Sequence, residues 1–327
     1  MTRDQSFNVI SFAETFGVFT REPLERLEAA GCNVSIVKHD HPLSNHEIAQ
    51  RAIEADAIVL GSCGIAPSVM AELPRLKLIV QHGRGIDGID YTTAAKLGIT
   101  ITNAPGTNVE ETADLTFGLI IDLARHISQM NSDLKNGIWE KRAGHSLYGK
   151  TIGIIGVGDI GTAVARRAMG FGMDILGNDI YERESAATTG LIFTSLNSLL
   201  RRSDIVTLHV PLIASTTNLI GAKELNMMRK DAILINTSRA GIIREKALEK
   251  ALSSGKLYGF ATDVYKRMPC PMPHIASLPN VLVTPHAGSA TYETNLRMGM
   301  AVADNIIAFK NGNVPPNKVT PMSVLYG

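Results

Sequence analysis

Thr151-Ile-Gly-Ile-Ile-Gly156-Val-Gly158-Asp-Ile-Gly161 closes an apolar run and opens a helix-like one, Thr162-Ala-Val-Ala-Arg-Arg-Ala-Met169. The next apolar run ends in an acid, Asp179, 18 residues after Gly161. A Gly-x-Gly-x-x-Gly by itself is a weak signal. A strand before it, a helix after it and an acid at the end of the next strand are the context that a dinucleotide fingerprint requires. The first glycine makes the tight turn, the second lets backbone approach a pyrophosphate, and the third packs helix against strand. The free N–H groups and positive dipole end of the helix then face the phosphates. A glycine-rich turn without a ligand is the weaker reading. Asp179 stands where a carboxylate hydrogen-bonds ribose hydroxyls and repels a 2′-phosphate, so NAD is expected over NADP, with Arg183 nearby softening that preference. Asp159 is the odd residue of the loop: a carboxylate suits a helix N-terminus but lies near the pyrophosphate, so its backbone N–H is expected to face the ligand and its side chain to point outward.

Composition sets wide limits. A chain of 327 residues is about twice a typical domain, which makes two domains the prior. Hydrophobic residues at 45% against 19% charged supply enough for two cores. A net charge of +1 provides no global attraction to nucleic acid or an anionic membrane. Cys32, Cys63 and Cys270 are too few and too scattered for a disulfide frame or a zinc site, and reduced thiols in the cytoplasm are expected. The start of the chain lacks a basic-then-apolar signal pattern, and no apolar run approaches the roughly 20 residues that cross a bilayer.

Outward from Thr151 in both directions, short β-branched runs alternate with helical patterns, the mark of an α/β chain with parallel sheets. Strands are predicted at Phe7–Ile10, Val34–Val37, Ala57–Leu60, Leu78–Gln81 and Ile99–Thr102, with helices such as Pro23–Ala30, Ser44–Glu54 and Tyr91–Lys96 between them. The pattern restarts at Thr151–Ile155, Asp174–Gly177, Ile205–Leu208, Ile233–Asn236, Phe260–Thr262 and Val281–Thr284. The repetition predicts two doubly wound units. Asn103-Ala-Pro-Gly106 is turn chemistry, and Val109 to Ile127 reads as one long helix whose Leu115, Leu119 and Leu123 suit burial against a sheet or a partner subunit. A last helix from Tyr292 to Lys310 is placed to return to the first unit, making it discontinuous.

In a doubly wound sheet, ligands sit at the carboxyl ends of the strands. Here those ends carry His209-Val210-Pro211, Thr237-Ser238-Arg239, Asp263, and His286-Ala-Gly288. For each by itself an ordinary strand cap in solvent is the lesser reading; four beside a dinucleotide site point to hydride transfer. In that chemistry His286 is suited to exchange a proton with a substrate hydroxyl. Arg239 is suited to hold a carboxylate with its planar fork, and Asp263 to accept from a nicotinamide carboxamide.

With these residues in view, the chain resembles the D-isomer-specific 2-hydroxyacid dehydrogenase family over nearly its whole length. The resemblance rests on Gly83-Arg-Gly-Ile-Asp-Gly-Ile-Asp90, Asn103-Ala-Pro-Gly106, the fingerprint at Gly156, His209-Val-Pro-Leu212, Ile235-Asn-Thr-Ser-Arg239 and Thr284-Pro-His286. It implies an NAD(P)-dependent, usually dimeric enzyme, for which Asp179 favours NAD. A Rossmann NAD-binding domain (104–290) is inserted in a discontinuous, hinged, flavodoxin-like substrate domain (1–103 with 291–327), with a small D-2-hydroxy acid as substrate. It implies Arg239 and His286 as the catalytic pair, with substrate contacts at Arg239 and in the loop His82, Gly83, Arg84 and Gly85; Ser62 and Cys63, which follow a strand end, are expected to line the substrate pocket. The expected cofactor contacts are Gly156, Gly158, Asp159, Ile160, Gly161, Asp179, His209, Val210, Pro211, Thr216, Thr237, Ser238, Asp263 and Gly288.

One position departs from the family. Members carry a glutamate five residues after the aspartate matching Asp263, hydrogen-bonded to the catalytic histidine; here that residue is Met268, and no acid occurs between Val264 and Tyr292. A carboxylate favours imidazolium. Without one, a neutral imidazole, the form that accepts a proton during alcohol oxidation, is expected to prevail. Met268 therefore predicts a bias toward oxidation, or an NAD(H)-binding regulatory or scaffold protein with vestigial catalysis; a carboxylate from elsewhere is the third possibility. His39, His41 and His46 fit no common zinc spacing, and no metal is expected. Cys63 reads as pocket lining rather than nucleophile, and Arg84 either meets an anionic substrate or reaches solvent.

Overall fold

The β-branched runs that are apolar on both faces become the central strands, because a parallel sheet covered by helices on both sides buries each strand twice. The computed structural model describes residues 6–39, 41–266 and 273–321. The chain divides into two compact units, one running to Asn108 and resuming at Ser289, the other spanning Val109–Gly288.

The first unit contains β1 (Phe7–Ser11), β2 (Cys32–Ile36), β3 (Ala57–Leu60), β4 (Leu78–Gln81) and β5 (Thr100–Thr102), parallel throughout in the order β2-β1-β3-β4-β5. That is the flavodoxin-like order. Alternate side chains feed two cores: Ile58, Leu60, Ile79 and Ile101 on one face, Val9, Val59, Leu78 and Val80 on the other. The second core is closed by Val302 and Ile306 of the helix Tyr292–Lys310. An Arg26–Asp304 ion pair of 2.6 Å and a bond from Lys310 Nζ to the Ala30 carbonyl at 2.9 Å hold this helix beside Glu22–Ala29.

The second unit contains β6 (Thr151–Ile155), β7 (Asp174–Asn178), β8 (Ile192–Phe193), β9 (Ile205–Leu208), β10 (Ala232–Asn236), β11 (Leu257–Thr262) and β12 (Val281–Val283). Their order, β12-β11-β10-β9-β6-β7-β8, reverses direction between β6 and β9, as a Rossmann sheet does. The helices Val109–Arg125 and Asp159–Gly170 cover one face. The helices Leu196–Arg202, Ala222–Met227 and Glu245–Ser253 cover the other.

Two elements differ from expectation. The single helix to Ile127 ends at Arg125, because His126 turns left-handed (φ 55°) and a second helix, Ile127–Lys135, follows. His126 is held there by a 2.6 Å bond between its Nε2 and the Tyr258 hydroxyl, while His145 N–H takes the Ala124 carbonyl at 2.7 Å. The second helix buries none of its side chains: its apolar residues Ile127, Met130 and Leu134 stay at the surface, Ile127 and Leu134 about half exposed. The two-residue edge strand β8 is likewise too short to show a pattern.

Candidate active site

The fingerprint glycines sit where a side chain would not fit. Gly156 has φ +92°, and a Cβ there would come within 2.6 Å of the His209 carbonyl carbon. A Cβ on Gly161 would collide with the Gly156 carbonyl oxygen, so the third glycine brings helix onto strand. Over Gly158 there is open space, and no side chain caps the helix Asp159–Gly170 that begins there. The absent Cβ and the uncapped N-terminus leave a cradle suited to a pyrophosphate.

Asp179, at the end of β7, accepts the Val157 N–H at 2.6 Å with Oδ2, and those of Ile180 and Tyr181 at 2.6 and 3.2 Å with Oδ1. The acid thus ties the glycine loop to its own strand end. Arg183 pairs with Asp159 at 3.0 Å, both about half exposed, so the Asp159 side chain turns outward and the guanidinium that would soften the NAD preference is engaged with it.

At the neighbouring ends of β10, β11 and β12, buried polar side chains shape the loops. Asn236 accepts from Ser238 N–H and Oγ at 3.1 and 2.9 Å, and donates from Nδ2 to the Arg239 carbonyl at 2.9 Å. It is a template for the loop that presents Arg239. Thr237 Oγ1 lies 2.9 Å from Thr116 Oγ1 on the long helix. Asp263, 2% exposed, accepts from Thr284 Oγ1 (2.6 Å), Ala287 N–H (2.7 Å) and Gly288 N–H (2.8 Å). Those three bonds bracket His286, which is exposed and left-handed at φ 56°. Tyr265 donates to the Thr284 carbonyl at 2.6 Å; burial first, and then the Asp263 charge, push its hydroxyl up to about 12. Thr112 donates to the Gly288 carbonyl at 3.3 Å. Met268 lies outside the described residues.

On the β9 side, His209 Nε2 is 2.9 Å from Thr207 Oγ1, and burial pushes its imidazole down to about 3. The Thr216 hydroxyl donates to the Pro211 carbonyl at 2.6 Å and accepts from Ile213 N–H, closing the turn from Pro211 to Thr216 that also carries Leu212. Its contact is thus with the loop itself.

In the first unit, the carboxyl ends of β3 and β4 bring Ser62, Cys63 and the loop His82–Gly85 together. The Gly83 and Arg84 carbonyls accept from Ala104 N–H and Asn103 Nδ2, each at 2.8 Å, so the Asn103–Gly106 turn backs this loop. Arg84 is half-buried. Burial, and then the Glu14 charge, push the Cys63 thiol up, which suits lining rather than nucleophilic work. Burial pushes His82 down to about 4; Thr15 Oγ1 lies 3.4 Å from its Nδ1. Glu14, not singled out in the sequence, accepts from both the N–H and the hydroxyl of Ser62, 48 positions away. Among the described residues no group of three His, Cys, Asp or Glu is placed to hold a metal, and no helix is long and apolar enough to cross a membrane.

The two depressed histidines make stability fall with acid. Unfolded, each takes a proton near pH 6.5; folded, His82 resists until about 4 and His209 until about 3. Stability is therefore full above pH 6.5 and declines as pH drops through that value. Between pH 7 and 5 the loss is about 2 kcal/mol for each, because both folded values lie below that range. Urea midpoints across that range should fall, and His82→Asn should flatten the decline. A flat parental profile would contradict both shifts.

A seven-stranded Rossmann sheet with an uncapped glycine turn after β6, an acid at the end of β7, and Arg239, Asp263 and His286 at adjoining strand ends fits an NAD-dependent oxidoreductase. Residues 117–288 match the family described as D-isomer specific 2-hydroxyacid dehydrogenase, NAD binding domain. The glyoxylate reductase of Korarchaeum cryptofilum is 42% identical over 291 residues, 86% of this chain and 88% of that protein. Among solved structures, the TT0316 protein from Thermus thermophilus superposes with a TM-score of 0.87 at 33% identity, covering 96% of this chain and all of that one. The D-lactate dehydrogenase of Aquifex aeolicus, complexed with NAD and lactic acid, gives 0.82 at 26% identity, covering 95% and 98%. The chain belongs to the D-isomer specific 2-hydroxyacid dehydrogenase family. It is an NAD-dependent enzyme acting on the CH–OH group of donors.

Proposed function

We propose that the enzyme interconverts a small D-2-hydroxy acid and its 2-oxo acid, with Arg239 and His286 acting on the substrate and with a bias toward oxidation. The observation that supports this best is the Asp263 clamp: a buried carboxylate spends three hydrogen bonds holding the turn of His286. The Arg239 loop leaves β10, two strands away from β12. Strands lie about 4.8 Å apart, so the two loops start roughly 10 Å from each other, a span that two long side chains close on one small molecule.

The chemistry NAD supplies when bound is a two-electron hydride sink at the substrate carbon. Gly156, Gly158 and the backbone of Asp159, Ile160 and Gly161 would hold its pyrophosphate, with Asp179 toward a ribose. His209, Val210, Pro211, Thr216, Thr237, Ser238, Asp263 and Gly288 would complete its binding. Arg239 grips the substrate carboxylate and polarises the C2 oxygen. Neutral His286 accepts the hydroxyl proton during oxidation, and its imidazolium returns one during reduction. In the first unit, His82, Gly83, Arg84 and Gly85 are assigned to the substrate carboxylate, and Ser62 and Cys63 to its side chain.

Relatives are named glyoxylate reductases, so glyoxylate and glycolate head a panel of 2-oxo and D-2-hydroxy acids to be followed by NADH absorbance. Tight NADH binding without turnover on any member would favour instead a regulatory NAD(H)-binding protein with vestigial catalysis, the reading that Met268 motivates. We also propose a cytoplasmic homodimer, with Trp139 at 83% and Tyr148 at 80% exposed as candidate contact residues; sedimentation at monomer mass would reject the dimer.

Met268 is the position that sets the bias. Met268→Glu adds a carboxylate where the family carries one, which favours imidazolium and raises the His286 pKa. A one-unit rise is about 1.4 kcal/mol of differential interaction. Reduction should then persist to higher pH, and oxidation should need higher pH. Superimposable pH–rate profiles for parent and variant would mean that Met268 does not govern the proton.

A further inference from the structure

In the sheet of the first unit the chain leaves β1 toward β2 on one side and leaves β3 toward β4 on the other, so β1 and β3 flank the topological switch point. In such sheets ligands bind at the carboxyl ends of the strands beside the switch point. Glu14 and Ser62 stand at those ends, one on each loop, and bond to each other. Fully buried Phe12 and Phe16 pin the β1 loop down on either side of Glu14, which is exposed between them. Across from it, Gly61 carries no side chain, and a Cβ there would strike Glu14 Oε2. That Cβ would also come within 2.9 Å of the Ala13 Cα, so the β3 loop lies close against the backbone of the β1 loop beside this carboxylate. Gln81 Nε2 bonds the Gly61 carbonyl at 2.7 Å and Thr15 reaches His82, so the loops after β1, β3 and β4 are laced together at this point.

A carboxylate beside the loop assigned to an anionic substrate is electrostatically unfavourable unless the substrate brings a donor to it. Ser62 takes two of the carboxylate's acceptor sites, through N–H and Oγ, and the exposed side of Glu14 keeps others. We propose that Glu14, with Ser62, is the specificity element of this enzyme: it selects 2-oxo and 2-hydroxy acids that carry a hydroxyl on C3, and it disfavours both a bare methyl and a second carboxylate. This rests on the dehydrogenase reading above. A methyl group buries against a carboxylate and a hydroxyl that then lose water without a partner, whereas a C3 hydroxyl donates to an acceptor site that Ser62 leaves open on the carboxylate.

The test compares kcat/KM for hydroxypyruvate, pyruvate and oxaloacetate with NADH, in the full-length parent, Glu14→Gln and Ser62→Leu. Ratios between substrates on one preparation cancel any loss of folded enzyme. Hydroxypyruvate should exceed pyruvate by at least about tenfold in the parent, the scale of one hydrogen bond to a charged group. The ratio should fall several-fold in Glu14→Gln and reverse in Ser62→Leu, and oxaloacetate should gain relative to pyruvate when the charge is removed. Turnover with a parental hydroxypyruvate-to-pyruvate ratio near one, or a ratio unmoved in both variants, would overturn the specificity assignment and leave the dehydrogenase reading standing. No parental turnover on any of the three would overturn the assignment, and if the wider panel is equally silent, the dehydrogenase reading with it.

Discussion

Arg239→Ala should lower kcat/KM for reduction of a 2-oxo acid by about a thousandfold or more, while NADH affinity stays within a few-fold of the parent. A bidentate guanidinium–carboxylate pair that also polarises the reacting carbonyl is worth about 4 kcal/mol in the transition state, and about 1.4 kcal/mol is a factor of ten. The loop should survive the change, because Asn236 holds it through backbone atoms of residues 238 and 239 that alanine retains. Arg239→Lys keeps the charge without the fork, and should recover only part of the loss. Initial rates and NADH fluorescence titrations on the same samples separate the two effects. Parental kcat/KM in Arg239→Ala would remove Arg239 from the chemistry.

The second large effect is at His286. His286→Asn should reduce kcat by about a hundred- to ten-thousandfold, the range ascribed to a positioned acid–base group. Asparagine is the informative replacement, since it tolerates the left-handed backbone that His286 adopts at φ 56° and cannot carry the proton. The Asp263 clamp acts on the Thr284 side chain and the Ala287 and Gly288 amides, so the turn should persist. The pH–rate profile should lose the limb that reports the histidine. A variant that keeps both its rate and its pH dependence would assign the proton to another group.

Much of this was legible in the sequence because it is local. The turn at Gly156, the packing at Gly161 and the acid at Asp179 are fixed by spacing along one strand–helix–strand, and the structure gives each of these two glycines a steric reason. Apart from the short edge strand β8, the strands of both sheets announced themselves as β-branched runs because parallel sheets bury both faces. What escaped is carried by contacts between distant residues. Glu14 meets Ser62 across 48 positions, and Thr112 meets Gly288 across 176. The long helix read as apolar, yet its buried Thr112 and Thr116 brace the loops at Gly288 and Thr237. A threonine on a helix face reads equally as a neutral surface residue, so only the partner reveals its task. Asn236 was the one such residue with a local signal, a buried amide ending an otherwise apolar strand. The left-handed turn at His126 depends on Tyr258, 132 positions on, and no capping residue marks it.

The decisive measurement is NADH formation from NAD with paired D and L enantiomers of lactate and of glycerate, at a pH where His286 is neutral. Oxidation of the D enantiomer of at least one pair is expected, with little or no rate on its mirror image, and with loss of that rate in Arg239→Ala. NADH bound tightly but formed from neither enantiomer of either acid, nor from glycolate, would contradict a D-2-hydroxyacid dehydrogenase built on Arg239 and His286.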